Sequence, residues 1–485
     1  MSSLLKGGRL HDVNSNVTNF ISSLDSDRRI ARSTILVNEA HVVGMVKAHI
    51  ITNDKARKIL KVLRRLERQR ILDRKLEDVH VLVEETVIKN AGPDVGGLLN
   101  IGKSRNDQVA TAIRMTIREE ILEVSNGLVS LIRAMLNLAE NHTETVFPGY
   151  THHQPAQPIS FAHYLLANAD SLLRNSYRIM DAYGRINCSP MGAAALAGSS
   201  FGLNRNLIAN LLGFNGLIEN SLDAVESRDF VLETLFVCAL IASDMSRIAQ
   251  DLIIYSSAEV NLISLPDQFT STSSIMPQKK NPDPLELVRA KCARISGNPG
   301  VAFTVLHGLP SGYNLDFQEI TPLAWQSIDE LKSCIKLMAE LIPSINVDRE
   351  IALRQYLEFT AATEIANVIV REEGLQFRLA HRLVGSAVRS ALHQSKTLGS
   401  LGRKDWEKYL HREIKPRTIS LITRALDLKL HLLTYQTKGS PNPTAMKNGI
   451  LQRRQKCTAL MEESSKLDQR TRKSLRGLSS AIIAL

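Results

Sequence analysis

Three observations predict an all-α fold for this 485-residue chain. Leu, Ile, Ala, Arg and Glu are abundant while aromatic residues reach only 5%, a balance that favours helices over sheets. Five long stretches carry apolar residues at steps of three and four, the period of a helix face. Clusters of Pro and Gly separate those stretches and mark their ends. A single hydrophobic core stops growing below this length, so two or three domains are expected. We divide the chain into an N-terminal helical domain over 1–102, a central long-helix bundle over 103–355 and a C-terminal helical domain over 356–485.

Taken in order, the first hundred residues alternate short helical patterns with polar breaks. One helix is expected from Asp27 to about Ile51, and one or two more between Asp54 and Asn90. The run Asn90-Ala91-Gly92-Pro93-Asp94-Val95-Gly96-Gly97 is turn material. From Asn106 to His142, Ile113, Ile117, Ile121, Val124, Leu128, Leu131 and Met135 make a helical stripe of about ten turns. The segments 159–186, 223–256, 285–305 and 324–342 repeat the theme. Five such helices cannot each cover an apolar face inside a small monomer, so they belong in a bundle, plausibly one shared between subunits. After Glu358 the pattern shortens again, with breaks at Thr397-Leu398-Gly399 and at Lys438-Gly439-Ser440-Pro441-Asn442-Pro443.

The bulk numbers exclude several classes. Hydrophobic residues at 44% and charged residues at 22% are an ordinary globular balance. No uninterrupted apolar run approaches the ~20 residues needed to span a bilayer. Five scattered cysteines show no metal-ligand spacing and no even pairing, and no signal peptide precedes them. They read as reduced core residues of a cytoplasmic protein. The net charge of +11 is spread along the chain and mixed with Asp and Glu. Runs such as Arg64 to Arg70 are therefore solvated helix faces and not a nucleic-acid footprint. A positive chain also draws anionic substrates toward its clefts.

Three separated segments carry the chemistry. In Ser273-Ser274-Ile275-Met276-Pro277-Gln278-Lys279-Lys280-Asn281-Pro282, hydroxyl residues meet a Pro-flanked turn with two adjacent lysines and an amide. No packing demand asks for that, because paired lysines are almost never buried. It suits a mobile site that binds carboxylates and moves a proton. In Gly102-Lys103-Ser104-Arg105-Asn106-Asp107-Gln108, Ser104 or Asn106 can cap the long helix, and Arg105 beside the open N–H groups makes an anion site. In Gly149-Tyr150-Thr151-His152-His153-Gln154-Pro155, polar groups converge on a stiffened turn with a proton-transfer candidate.

These three blocks, in this order, resemble the shared motifs of the fumarase/aspartase/argininosuccinate lyase superfamily. Gln278 and Lys280, with Ser104-Arg105-Asn106-Asp107-Gln108, are similar to argininosuccinate lyases in particular. Fumarases tend to carry Met-Pro-Gly-Lys-Val-Asn in the loop, and adenylosuccinate lyases Met-Pro-His-Lys-Arg-Asn. The resemblance runs from Gly7-Gly8-Arg9 to Gly439-Ser440-Pro441. It includes Glu77-Asp78-Val79-His80, Ser227-Arg228-Asp229-Phe230, Leu309 to Asn314 and Phe377 to His381.

The resemblance implies reversible cleavage of argininosuccinate to L-arginine and fumarate, the last step of arginine biosynthesis, with no cofactor and no metal. Removing a proton from a carbon beside a carboxylate builds a second negative charge on that carboxylate. Such chemistry needs a base, fixed positive or N–H groups around the oxygens, and an acid at the departing nitrogen. By analogy Ser273 is the base and Lys279 and Asn281 stabilise the carboxylate. His152 is the acid or holds it, with Glu286 orienting the ring. Thr151, Ser104, Arg105, Asn106, Ser23, Tyr313 and Gln318 match positions that hold the substrate's carboxylates and amino-acid end. Ser23 and Gln318 read equally well as ordinary surface polar residues. The family also implies a homotetramer with a central bundle of twenty helices and active sites built from three subunits.

Several positions depart from the family pattern. Asn100 stands where His is usual, and Thr272 where a Gly precedes the serines, which stiffens the loop. Leu315 and Thr321 stand where many members carry lysine, and this leaves the contact to one substrate carboxylate in doubt. Thr34 and Gln250 replace acidic residues. The rival readings are a sister lyase acting on another succinyl compound, and a catalytically silent structural relative, which Asn100 favours most.

Overall fold

The computed structural model describes residues 14–68 and 77–485. Gly7-Gly8-Arg9 and the end of the Arg64–Arg70 run lie outside the described residues. The N-terminal part holds α1 (Ala31–Lys47), α2 (Asn53–Arg68) and α3 (Val79–Ala91), which meet around Val42, Met45, Ile59, Leu63 and Val83. The helix expected from Asp27 instead begins as a short turn over Leu24–Asp27 and a tight turn over Arg28–Ile30 before α1.

The long stripe forms α4 (Arg105–Glu140). The antiparallel strands β1 (Val146–Thr151) and β2 (Gln154–Ser160) follow, and then α5 (Phe161–Ile186) and α6 (Asp229–Tyr255). A second hairpin pairs β3 (Ser271–Thr272) with β4 (Lys280–Asn281) and leads into α7 (Asp283–Leu306) and α8 (Phe317–Leu341). The five long helices close a ring in which α4 meets α5, α5 meets α6, α6 meets α7, α7 meets α8, and α8 returns to α4. Their apolar stripes fill its centre with Ile121, Leu128, Met135, Leu172, Ile241, Ile295 and Ile328.

By length and composition α4 is apolar enough to cross a membrane, although no uninterrupted apolar run was expected to reach that length. Its polar residues show it to be a core helix. Arg114 stacks on Phe230 at 3.9 Å, and Arg118 donates to Asn187 Oδ1 at 2.8 Å and to the Leu212 carbonyl at 2.6 Å. The Nη groups of these buried guanidiniums are engaged by protein partners, which a lipid face cannot supply.

Beyond residue 356 a small separate core gathers Ile365, Ile369, Val384, Trp406 and Ile422 from α9 (Ala362–Glu373), α10 (Phe377–His393), a two-turn helix over Arg403–Leu410 and α11 (Pro416–Leu426). The shortening pattern ends at Pro443. There α12 (Pro443–Ile483) runs 41 residues back along α4 and α5 to reach α1.

Candidate functional site

The chain start of α4 is built by reciprocal capping. The Ser104 hydroxyl accepts the Asn106 N–H at 3.3 Å, and Asp107 Oδ1 accepts the Ser104 N–H at 3.0 Å. Asp107 is fully buried, and its Oδ2 also accepts the N–H groups of Gly192 and Ala194, each at 2.9 Å. One carboxylate thus ties the helix start to the loop over residues 190–198, which lies beside Asn106, whose side chain donates to the Ala195 carbonyl at 3.1 Å.

Arg105 turns toward a cavity lined by Ser23, Asp27, Asp78, Arg228, Tyr313 and Gln318. Its Nη1 donates to Glu77 Oε1 at 3.0 Å and to Asp78 Oδ2. Burial lowers the guanidinium's proton affinity, but Asp78 and Glu77 outweigh it and hold the group above its ordinary value. The Ser23 hydroxyl donates to Asp27 Oδ2 at 2.8 Å. Burial pushes the Asp27 carboxyl up to about 7 against the opposing pull of that bond. Gln318 Nε2 donates to the Ile21 carbonyl at 3.1 Å, which places it at the cavity and not on open surface. Tyr313 packs edge-on against Phe317. Asp27, Asp78 and Arg228 escaped sequence reasoning as site residues. Asp27 had a signal, since it stands four positions after Ser23.

Thr151 and His152 lie at the tip of the β1–β2 hairpin, where an all-helical reading expected only a turn before a helix. His152 and His153 are its two central residues, with φ of 54° and 57°. Two left-handed residues give the twist that a two-residue hairpin needs, a conformation usually left to Asn or Gly. Holding two histidines there is a local strain of the kind that collects at functional sites. Below the tip opens a cleft of about 630 Å³ lined by His152, His153, Tyr150, Tyr164, Asp251 and Tyr255. Burial pushes Tyr164 and Tyr255 up, so both phenols stay neutral.

Ser273 sits where the loop leaves β3. Its Oγ accepts the N–H groups of Ile275 at 3.2 Å and Met276 at 3.0 Å, and the Lys279 N–H closes the turn on the Met276 carbonyl at 3.1 Å. Thr272 pairs with Lys280 across the hairpin, so the β-branched residue found in place of glycine occupies a strand position that suits it. Lys279, Asn281 and Glu286 line a cleft of about 370 Å³.

Within one chain, then, the predicted residues fall into three places. Ser23, Arg105, Tyr313 and Gln318 share the first, with Ser104 and Asn106 flanking Arg105 along the chain. Thr151 and His152 mark the second, while Lys279, Asn281 and Glu286 line the third, with Ser273 on the loop that joins β3 and β4. Among the described residues no hydrogen bond or ion pair joins His152 to Glu286, and each lines a different cleft.

Comparison with known proteins matches residues 8–297 to a lyase family and residues 359–429 to the argininosuccinate lyase C-terminal family. The chain is 38% identical over 453 residues to the argininosuccinate lyase of Methanocaldococcus jannaschii, covering 92% of this chain and 93% of that protein. It is 39% identical over 460 residues to that of Methanosarcina mazei, covering 94% and 93%. Among solved structures, EDDS lyase in complex with formate superposes with a TM-score of 0.87 at 29% identity, covering 94% of this chain and 91% of that one. A class II fumarase from Schistosoma mansoni shares the fold, with a TM-score of 0.70 at 19% identity over 83% of this chain and 91% of its own.

Proposed function

The chain belongs to the argininosuccinate lyase family, and on that premise we propose how its residues divide the chemistry of cleaving argininosuccinate to L-arginine and fumarate. The protein is a carbon–nitrogen lyase of this family. Ser273 removes the proton from the carbon beside the succinyl carboxylate. A hydroxyl is a poor base in water, so loop closure must surround it with N–H and cationic groups. Lys279 and Asn281 hold the carboxylate as its second charge develops. His152 delivers the proton to the departing guanidinium nitrogen, oriented by Glu286. Ser104, Arg105, Asn106, Thr151, Ser23, Tyr313 and Gln318 bind the substrate's ends.

One observation carries this reading. Arg105, His152 and Lys279 line three different clefts of one chain, and none of these clefts holds more than one of the three. Such a division makes sense if three subunits of a homotetramer each contribute one block. Exposed apolar residues along the bundle helices, among them Phe236, Leu240, Leu287 and Phe303, support that association. The three-domain division goes with it, the middle domain supplying the shared bundle. All five cysteines carry free thiols, as suits a cytoplasmic enzyme.

Two measurements test it. Purified protein mixed with argininosuccinate is expected to release fumarate, followed by ultraviolet absorbance, while adenylosuccinate gives none. Co-refolded mixtures of Ser273→Ala and His152→Asn chains, each slowed at least about a hundredfold alone, are expected to regain about a quarter of normal activity as intact sites assemble across subunits. No recovery would reject the shared site.

A further inference from the structure

We infer that Arg228 binds the α-carboxylate at the amino-acid end of the substrate, replacing lysines that this chain lacks at Leu315 and Thr321. The inference rests on the reaction proposed above and adds a specificity-determining residue to it.

Arg228 ends the short turn before α6 and is only 3% exposed. Its Nη1 donates to the carbonyls of Val225 at 3.2 Å and Ser227 at 2.8 Å, while Nε and Nη2 have no hydrogen-bond partner among the described residues. The guanidinium plane lies over the Phe317 ring at 4.6 Å, with Tyr313 at 6.0 Å. Two aromatic faces and two carbonyls therefore fix the fork, and its remaining edge lines the cavity shared with Ser23, Asp27, Arg105 and Gln318. Burial lowers its proton affinity to about 10, so the group stays charged at neutral pH. Leaving a buried cation with open donors is unfavourable unless something fills them. A carboxylate is the group that matches a fixed guanidinium fork.

The surroundings decide which carboxylate. Arg105 lines the same cavity, but Glu77 and Asp78 already engage it. Thr321 is buried and turns its hydroxyl back to the Phe317 carbonyl at 3.4 Å, and Leu315 is apolar and exposed. Neither offers charge. The cavity also carries Asp27, whose carboxyl suits an ammonium better than the purely anionic fumarate half. A wall with an acid on one side and a guanidinium on the other fits a zwitterionic amino-acid end.

The test uses the full-length enzyme and product inhibition. In Arg228→Met, KM for argininosuccinate and the inhibition constant of arginine are expected to rise roughly ten- to a hundredfold, the range for a lost charge-assisted pair. The loss falls on KM more than on kcat, and inhibition by fumarate changes far less. Agmatine, which is arginine without its carboxylate, is expected to inhibit wild type weakly and to lose little more in the variant. Adding Thr321→Lys to Arg228→Met is expected to restore part of the arginine affinity. Equal losses for arginine and fumarate with no rescue would mean a structural role and overturn the inference. If Arg228→Met does not fold, Arg228→Lys decides: a selective loss of arginine affinity supports the assignment and unchanged affinity rejects it. Failure of the wild type to release fumarate would count against the reaction itself, separately from every variant.

Discussion

Asp27 Oδ2 accepts the Ser23 hydroxyl at 2.8 Å and, from the other side, the Val79 N–H at 3.3 Å. One buried carboxyl thus joins the N-terminal turn to the start of α3 at the mouth of the first cavity. Burial raises its proton affinity to about 7, from 3.8 for a free Asp. Between these two values the folded chain keeps a proton that the unfolded chain releases. This group's contribution to stability is therefore full below about pH 4 and declines as pH rises to about 7. In Asp27→Asn that decline is expected to vanish. Urea melts of both proteins at about pH 5 and about pH 8 check it through the difference between their midpoint shifts.

Ser273→Ala removes the proposed base together with the acceptor of two loop N–H groups. Those N–H groups lie on an exposed loop, so water replaces the hydroxyl and the fold is expected to keep its melting temperature within experimental scatter. Turnover is expected to fall by at least about a thousandfold, read as fumarate release. Near-normal activity would remove Ser273 from its role.

His152→Asn is the informative change at the hairpin tip, because Asn accepts the left-handed conformation at φ 54° that most residues resist. The backbone is preserved while the proton-transfer group is lost. Catalysis is expected to slow by about 10²–10⁴-fold with circular dichroism unchanged. An unaltered rate would exclude the imidazole from proton transfer.

Asp107→Ala strips three backbone N–H groups of one buried acceptor, those of Ser104, Gly192 and Ala194. The expected loss of stability is roughly 2–4 kcal/mol, the sum of a lost cap and unsatisfied buried donors. Activity should fall further than stability alone explains, because Arg105 and Asn106 occupy the turn that Asp107 fixes. Denaturant melts alongside KM measurements separate the two effects.

Much of the bundle was legible in the sequence, for a physical reason. The stripe from Ile113 to Met135 must face a core throughout, and it located α4 to within a residue at its start. Where other rules compete, the pattern misleads. Pro322 reads as a break, yet α8 begins at Phe317 and runs through it. The strands around His152 are short and hold Pro148, Pro155 and Pro158, so they carry no alternating signature. In α12 the apolar residues are diluted by Arg453, Arg454, Lys466 and Arg470, and a single long helix is not evident. The same holds for the site. Clustered polar residues announced the three blocks, whereas Ser227-Arg228-Asp229-Phe230 read only as family resemblance, and the site role of Arg228 shows in the two nitrogens at a cavity that have no partner among the described residues.

The return path of α12 has a consequence for folding. Ile482 near its far end and Leu485 just beyond it pack against the core formed by α1 to α3, and the Leu485 carbonyl accepts from Arg57 Nε at 2.5 Å. Groups 428 positions apart must therefore meet before the apolar surface of α1 to α3 is covered. Closing so long a loop carries a large entropic cost, so a substitution that loosens the far end of α12 uncovers apolar surface on helices remote from it in sequence.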